Sequence, residues 1–209
     1  MLLFLAFPTK LLFFSRQTEI LISIFVKTGK MRKLLNEELQ RLDIHAFKSA
    51  GKIPVVLVLD NVRSMHNIGS VFRTSDAFRI ESIFLCGITA VPPNKEIHKT
   101  ALGATDSVDW RYYEDTVLAI AELRKARYTL IAIEQTDKSI FLEDFQVEQG
   151  AKYALIFGHE VKGVEQAVVD LCDTCIEIPQ HGTKHSLNVS VSAGIVVWEF
   201  YRKLGAMLE

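Results

Sequence analysis

Short apolar runs alternate with stretches of helical period along most of this chain. The runs at 55–60 (VVLVLD), 82–86 (SIFLC), 128–134 (YTLIAIE), 153–158 (YALIFG) and 175–179 (CIEIP) read as strands, and 107–113 (SVDWRYY) as a weaker one. Helical patterns occupy 68–78, 94–101, 115–126, 165–171 and 186–204. A further stretch, MRKLLNEELQRLDIHAF from Met31, reads as an amphipathic helix. Brief continuous apolar strands separated by helices predict an α/β fold, with a mainly parallel sheet covered by helices on both faces. The last helical pattern is apolar around much of its circumference, from Leu187 through Val191, Ile195, Val197 and Trp198 to Phe200. One sheet face cannot cover so wide a stripe. A homodimer contact is therefore expected there, near Trp198 or Val197.

The first 30 residues break the pattern. MLLFLAF and EILISIFV are apolar, but Pro8, Lys10, Arg16 and Glu19 interrupt them. No run approaches the roughly 20 apolar residues of a membrane span, and neither flank suits a secretory signal. The expectation is an irregular apolar leader, with Met31 as the natural start and one domain from there on.

Composition narrows the classes. The chain has 209 residues, 49% of them apolar, and a formal charge of −1. No global basic field advertises nucleic acid, although a local patch can serve. The three cysteines, Cys86, Cys172 and Cys175, are too few and of the wrong parity for a disulfide framework, and fit a reducing cytoplasm. The lone CDTC lacks the second pair or histidines that a zinc site needs, so no metal is expected.

In a parallel sheet, ligands gather beyond the carboxyl ends of the strands. Three loops there carry polar residues that packing does not require. After the first strand comes NVRSMHNIGSVFRTSDAF. Its single Gly69 excludes the usual dinucleotide fingerprint. Asn67 could cap the helix, and Arg73 with Asp76 could be a surface pair. The second loop, IFGHEVKGVEQ, spaces Gly158 and Gly163 like a phosphate loop, but Val164 and Glu165 stand where Lys and Ser or Thr belong. Its Glu160 would repel a triphosphate, or could be a solvated residue of a tight turn. The third is IPQHGTKHSLNVSVSAGI, where Ser186 is placed to cap the last helix and Asn188 to stand exposed in its first turn.

Taken together and in this order, NIGSVFRTSDAF, IFGHEVKGV and IPQHGTKHSLNVSVSAGI resemble the three motifs of the SpoU (TrmH-type) RNA ribose 2′-O-methyltransferases of the SPOUT superfamily. The resemblance extends over roughly residues 37–203. It departs at His159, where smaller or amide side chains are common, and at Gln180, where an apolar residue is usual. It implies a deep C-terminal trefoil knot, S-adenosylmethionine held in the knot, a homodimer with its active site near the interface, and RNA as substrate. Transfer RNA is the first expectation and ribosomal RNA the second. Carried over motif by motif, Asn67, Arg73, Glu160, Ser186 and Asn188 form the polar catalytic set. Gly158, Ile178 and Leu187 mark the cofactor contacts.

Elementary chemistry agrees with that set. Transfer to a ribose hydroxyl depends on in-line positioning, and the hydroxyl flanks a phosphate that Arg73 can grip with two parallel hydrogen bonds. Arginine stays protonated in proteins, so phosphate orientation and hydroxyl activation are its expected role, not proton abstraction. Asn67 and Asn188 are expected to fix Arg73 and the ribose. Two other classes compete: a knotted RNA-binding module without catalysis, and a phosphate-loop hydrolase, which Glu160 and the missing lysine disfavour.

Overall fold

The computed structural model describes residues 31–205. The chain divides into two units, one ending at Arg41 and the other beginning at Leu42. The expected leader over residues 1–30 lies outside the described residues.

The amphipathic helix expected from Met31 is not what forms. The first unit has a single 3-10 turn, Asn36–Leu39. Glu38 holds it by accepting from the Leu35 N–H at 2.7 Å and meeting the Arg32 guanidinium at 2.6 Å. Gln40 then turns left-handed, with φ 46°. Leu34, Leu35 and Leu39 are exposed, so no buried stripe supports a longer helix, and short helices without packing do not persist in water. In the second unit the end of the same pattern forms a separate helix, α1 (Ile44–Ser49), capped by Asp43.

Seven strands make one sheet: β1 (Ile53–Asp60), β2 (Ile80–Cys86), β3 (Trp110–Tyr113), β4 (Tyr128–Ile133), β5 (Ile140–Phe141), β6 (Lys152–Phe157) and β7 (Thr174–Glu177). Their order is β3-β2-β1-β6-β4-β7-β5, and every pairing is parallel. The sheet has two covered faces because β1 is apolar on both. Ile53, Val55, Leu57 and Leu59 enter one core, and Val56 and Val58 the other. The first core is closed by α2 (Met65–Ala77), α3 (Lys95–Ala101), α4 (Ala104–Ser107) and α7 (Val189–Leu204). The second is closed by α5 (Thr116–Lys125) and α6 (Gln166–Val169). Gly69 lets α2 and α3 touch: a Cβ there would lie 2.3 Å from the Ile97 carbonyl oxygen. The mainly parallel, doubly covered sheet agrees with the pattern. The two-residue β5 was not legible, since both its side chains are exposed and its apolar run, Ile140 to Leu142, is only three residues long.

The last helix shows why its apolar circumference is so wide. Ala193, Val196, Val197, Phe200 and Leu204 are fully buried in the first core. On the other side Val191, Ile195 and Trp198 remain 49, 38 and 52% exposed. Val197 therefore cannot be a dimer contact, because the fold already encloses it. Trp198 remains available beside Phe78 and Tyr201, at ring-centroid distances of 5.8 and 5.9 Å.

A candidate active site at the carboxyl ends of the strands

The loop after β1 enters α2 three residues earlier than the periodicity predicts. Ser64 is the cap, its hydroxyl accepting from the Asn67 N–H at 3.3 Å. Asn67 is thus relieved of capping, and its side chain turns toward the other two loops.

The glycine loop after β6 closes on itself. The His159 N–H donates to the Gly163 carbonyl at 3.0 Å, and the Gly163 N–H to the His159 carbonyl at 2.8 Å. His159 Nδ1 accepts from the Val161 N–H at 3.0 Å. The ring therefore carries its proton on Nε2 when neutral, which gives the unusual histidine a local structural role. This closure needs glycine at both ends. Gly163 has φ 69°, and a Cβ on Gly158 would lie 2.1 Å from backbone atoms of Gly163 and Val164.

The closed loop aims Glu160 at the start of α2. Its carboxylate accepts from the Ser64 N–H at 2.8 Å, the Arg63 N–H at 3.1 Å and the Asn67 side-chain amide at 3.1 Å. Burial works against its ionised form, but the donors from Ser64, Arg63 and Asn67 outweigh it, and the carboxyl is held below the ordinary glutamate range. Its stabilising contribution is fully present above the unfolded glutamate value of about 4.3. It is lost as pH falls from there through the lowered folded value. Glu160→Gln should lower stability at pH 7 by about 1–3 kcal/mol, because an amide nitrogen would face a backbone donor. The gap from wild type should begin to narrow as pH falls below about 4.3, where the unfolded carboxylate takes up a proton, and should close only below the lowered folded value; denaturant unfolding at pH 7, 5 and 3 checks this.

The third loop completes the chain. Asn188 Nδ2 donates to Asn67 Oδ1 at 3.1 Å. Asn188 Oδ1 accepts from the Ser190 N–H at 2.9 Å and the Ser190 hydroxyl at 2.6 Å. Asn188, not Ser186, is the cap of α7, which begins at Val189. Cap and inter-loop bond use opposite ends of one amide, which explains the residue type. Glu160, Asn67 and Asn188 thereby join three loops that are distant in sequence.

Beside this chain lies a cleft of about 540 Å³ at the carboxyl ends of β4, β6 and β7, within the roughly 300–1,000 Å³ of small-molecule sites. Gly158, Ile178, Ser186 and Leu187 all line it, as do Glu160 and Asn188. Arg73 does not. It is exposed on α2, six residues or roughly 9 Å along the axis beyond Asn67. There it lines a separate groove with Ser70, Phe78 and Lys99. The surface pair with Asp76 does not form; Asp76 instead accepts from the Ser107 hydroxyl. Nor does either asparagine hold Arg73, because both are bonded within the loop chain.

Two carboxylates that the sequence motifs did not flag also build this end of the sheet. Glu134, just past β4, accepts from the Val164 N–H at 3.0 Å and the Gln135 N–H at 2.9 Å. It braces the closed glycine loop from the cleft side. Asp60, fully buried at the end of β1, accepts from the Thr116 hydroxyl at 2.6 Å and the Glu165 N–H at 3.1 Å. In each case the available signal was a carboxylate ending an otherwise apolar strand run. Among the described residues no group of three or more His, Cys, Asp or Glu is arranged to hold a metal, and no helix is long and apolar enough to cross a membrane.

Comparison with known proteins places this geometry. A model of the SpoU rRNA methylase family matches residues 54–198. The chain is similar to the 23S rRNA (guanosine-2′-O-)-methyltransferase RlmB of Nitrosomonas europaea, with 31% identity over 149 residues, 71% of this chain and 56% of that protein. It is also similar to the TrmH-family protein YacO of Bacillus subtilis, with 30% identity over 151 residues, 72% of this chain and 59% of that one. Among solved structures, the TrmH/SpoU tRNA modifying enzyme of A. aeolicus shares the fold with a TM-score of 0.66 and 25% identity, covering 75% of this chain and 78% of that one. The AdoMet-bound rRNA methyltransferase of Sinorhizobium meliloti gives a TM-score of 0.69 at 24% identity, covering 76% and 60%, a likeness of fold alone. The chain spans about three fifths of the length of the curated relatives it matches.

Proposed function

The chain belongs to the SpoU rRNA methylase family, and from that premise we propose that it is an S-adenosylmethionine-dependent ribose 2′-O-methyltransferase acting on structured RNA in the cytoplasm. Transfer RNA is the first candidate and ribosomal RNA the second. The observation that carries the reading is the hydrogen-bonded chain Glu160–Asn67–Asn188 beside a cleft lined by Gly158, Ile178 and Leu187. All three family motifs meet there.

The cleft suits the cofactor. Ile133, Phe157, Ile176, Ile178 and Leu187 offer apolar walls for a flat heteroaromatic ring, and Glu134, Gln135, Gln180 and Ser186 offer polar partners at its rim. When bound, the cofactor supplies a methyl group on a positively charged sulfur. Glu160 and Asn67 keep the glycine loop closed against α2, and Asn188 fixes the start of α7 at the cleft mouth. Arg73 orients the phosphate next to the target ribose and lowers the cost of charge developing on its oxygen.

Arg73 and the cleft occupy different parts of one chain's surface, so the proposal includes a homodimer. Its contact would use Val191, Ile195 and Trp198 of α7, next to the Arg73 groove. The reading also includes the C-terminal knot. Its support is that β7, the last strand, is seated between the earlier β4 and β5, after which α7 returns to pack with α2.

Incubation of the protein with labelled cofactor and with transfer or ribosomal RNA, followed by nucleoside mass analysis, should show 2′-O-methylated ribose, unchanged by EDTA. Base methylation, a strict metal requirement or binding of RNA without transfer would overturn the assignment. Trp198→Glu should convert a dimer to a monomer at micromolar concentration in light scattering and reduce methylation at least tenfold. A wild-type monomer would remove the shared site.

A further inference from the structure

A second cleft, of about 520 Å³, opens on α3 and is lined by Pro92, Pro93, Lys95, His98, Asp106 and Trp110. The catalytic reading does not use it. Trp110 packs against the first core and also lines this cleft, so the indole is a supported platform. Lys95 and His98 are exposed on one face of α3, and neither side chain has an ion pair or hydrogen bond among the described residues. The neighbouring Lys99 is held by Glu96 at 2.8 Å and lines the Arg73 groove on the other side of the helix. The helix thus separates two adjoining grooves, with cations facing each and a half-buried indole in one.

Resting on the methyltransferase reading above, we propose that this cleft holds an unpaired nucleotide of the RNA substrate a short distance along the strand from the methylated ribose. Its base stacks on Trp110 and its backbone phosphate meets Lys95. The chemistry selects that occupant. An aromatic side chain stacks on any base, a lysine ammonium is a point-charge partner for phosphate, and the cleft adjoins the groove where Arg73 is positioned to take the phosphate beside the target. Asp106 sits at the same cleft and would repel a phosphate brought to it. It can accept instead from the exocyclic amine of a base, which orients the nucleotide base-inward and phosphate toward Lys95. The site would select unpaired segments, because a base stacked within a duplex cannot reach the indole.

Full-length protein, Trp110→Ala, Trp110→Phe and Lys95→Ala should be compared for binding of transfer RNA transcripts by anisotropy at several salt concentrations. Cofactor affinity and melting temperature should be measured alongside. Trp110→Ala should weaken RNA binding by about 5- to 100-fold, the range for losing one stacked base, and Trp110→Phe should restore most of it. Lys95→Ala should weaken binding and reduce the slope of log affinity against log salt by about 0.7. Cofactor affinity should not move. If wild type binds RNA and both Trp110→Phe and Lys95→Ala behave as wild type while Trp110→Ala folds and binds normally, this subsite is refuted and the methyltransferase reading stands. Should Trp110→Ala fail to fold, an unchanged salt slope in the exposed Lys95→Ala variant refutes it alone. A change in oligomeric state without a change in RNA affinity would assign the cleft to a protein contact and also overturn the proposal. Wild type that binds no RNA would remove both readings.

Discussion

Arg73→Ala is expected to lower methyl transfer by at least a thousandfold while leaving melting temperature within 1 °C and cofactor affinity within about twofold of wild type. The separation follows from placement. Arg73 is exposed and without a partner among the described residues, so its loss leaves no buried group unsatisfied and no cavity; surface changes of that kind usually alter stability by less than about 0.5 kcal/mol. It lies outside the cleft lined by Gly158, Ile178 and Leu187, so ground-state binding there should not sense it. In the proposed mechanism its contribution is a charge-assisted contact realised as the hydroxyl reacts, and removing such a contact lowers turnover more than binding. Arg73→Lys should recover little, because an ammonium cannot reproduce the planar two-pronged grip on phosphate. Single-turnover methylation, calorimetry with the cofactor and thermal melting of both variants check this. Near-wild-type turnover in Arg73→Ala would remove Arg73 from the mechanism, and a parallel loss of cofactor binding would make it a structural residue.

Gly158→Ala should have the opposite signature, losing the cofactor and some stability together. The added Cβ would meet the Gly163 carbonyl carbon and the Val164 nitrogen at 2.1 Å. These are backbone atoms, which cannot rotate away as a side chain can. The loop must open, and opening breaks the paired His159–Gly163 bonds and withdraws Glu160 from the start of α2. Overpacking of this kind typically costs about 1–3 kcal/mol, and the same displacement deforms the cleft wall. Cofactor affinity should fall at least tenfold, with a lower unfolding midpoint. Glu160→Gln, which loosens the same loop without a clash, should fall between wild type and Gly158→Ala on both measures. Unchanged affinity in Gly158→Ala would show that the closed loop is not part of the cofactor site.

What was legible in the sequence follows from local physics. The strand runs were readable because a parallel strand buried on both faces must be continuously apolar, and Val55 to Leu59 cannot be otherwise. The helices at Asn94 and Asp115 were bounded well because each residue caps its helix with its own side chain, a bond made within three residues. The three loops were noticed because they carried polar residues that packing did not demand.

Tertiary structure decided the rest, because the deciding partners lie far apart along the chain. Whether Asn67 capped its helix or did something else depended on Glu160, 93 residues away, and on Asn188, 121 residues away. Ser186 looked like a cap because it precedes an apolar run, but the helix starts where Asn188 can bond to its own backbone and to Asn67 together. The helix expected at Met31 gives way to a single 3-10 turn that ends at Gln40 in a left-handed conformation, which the apolar periodicity did not report. The same rule separates Val197, enclosed by the sheet, from Trp198, left at the surface one residue on: periodicity shows that a helix is apolar on two sides, and only the packed fold shows which side is already taken.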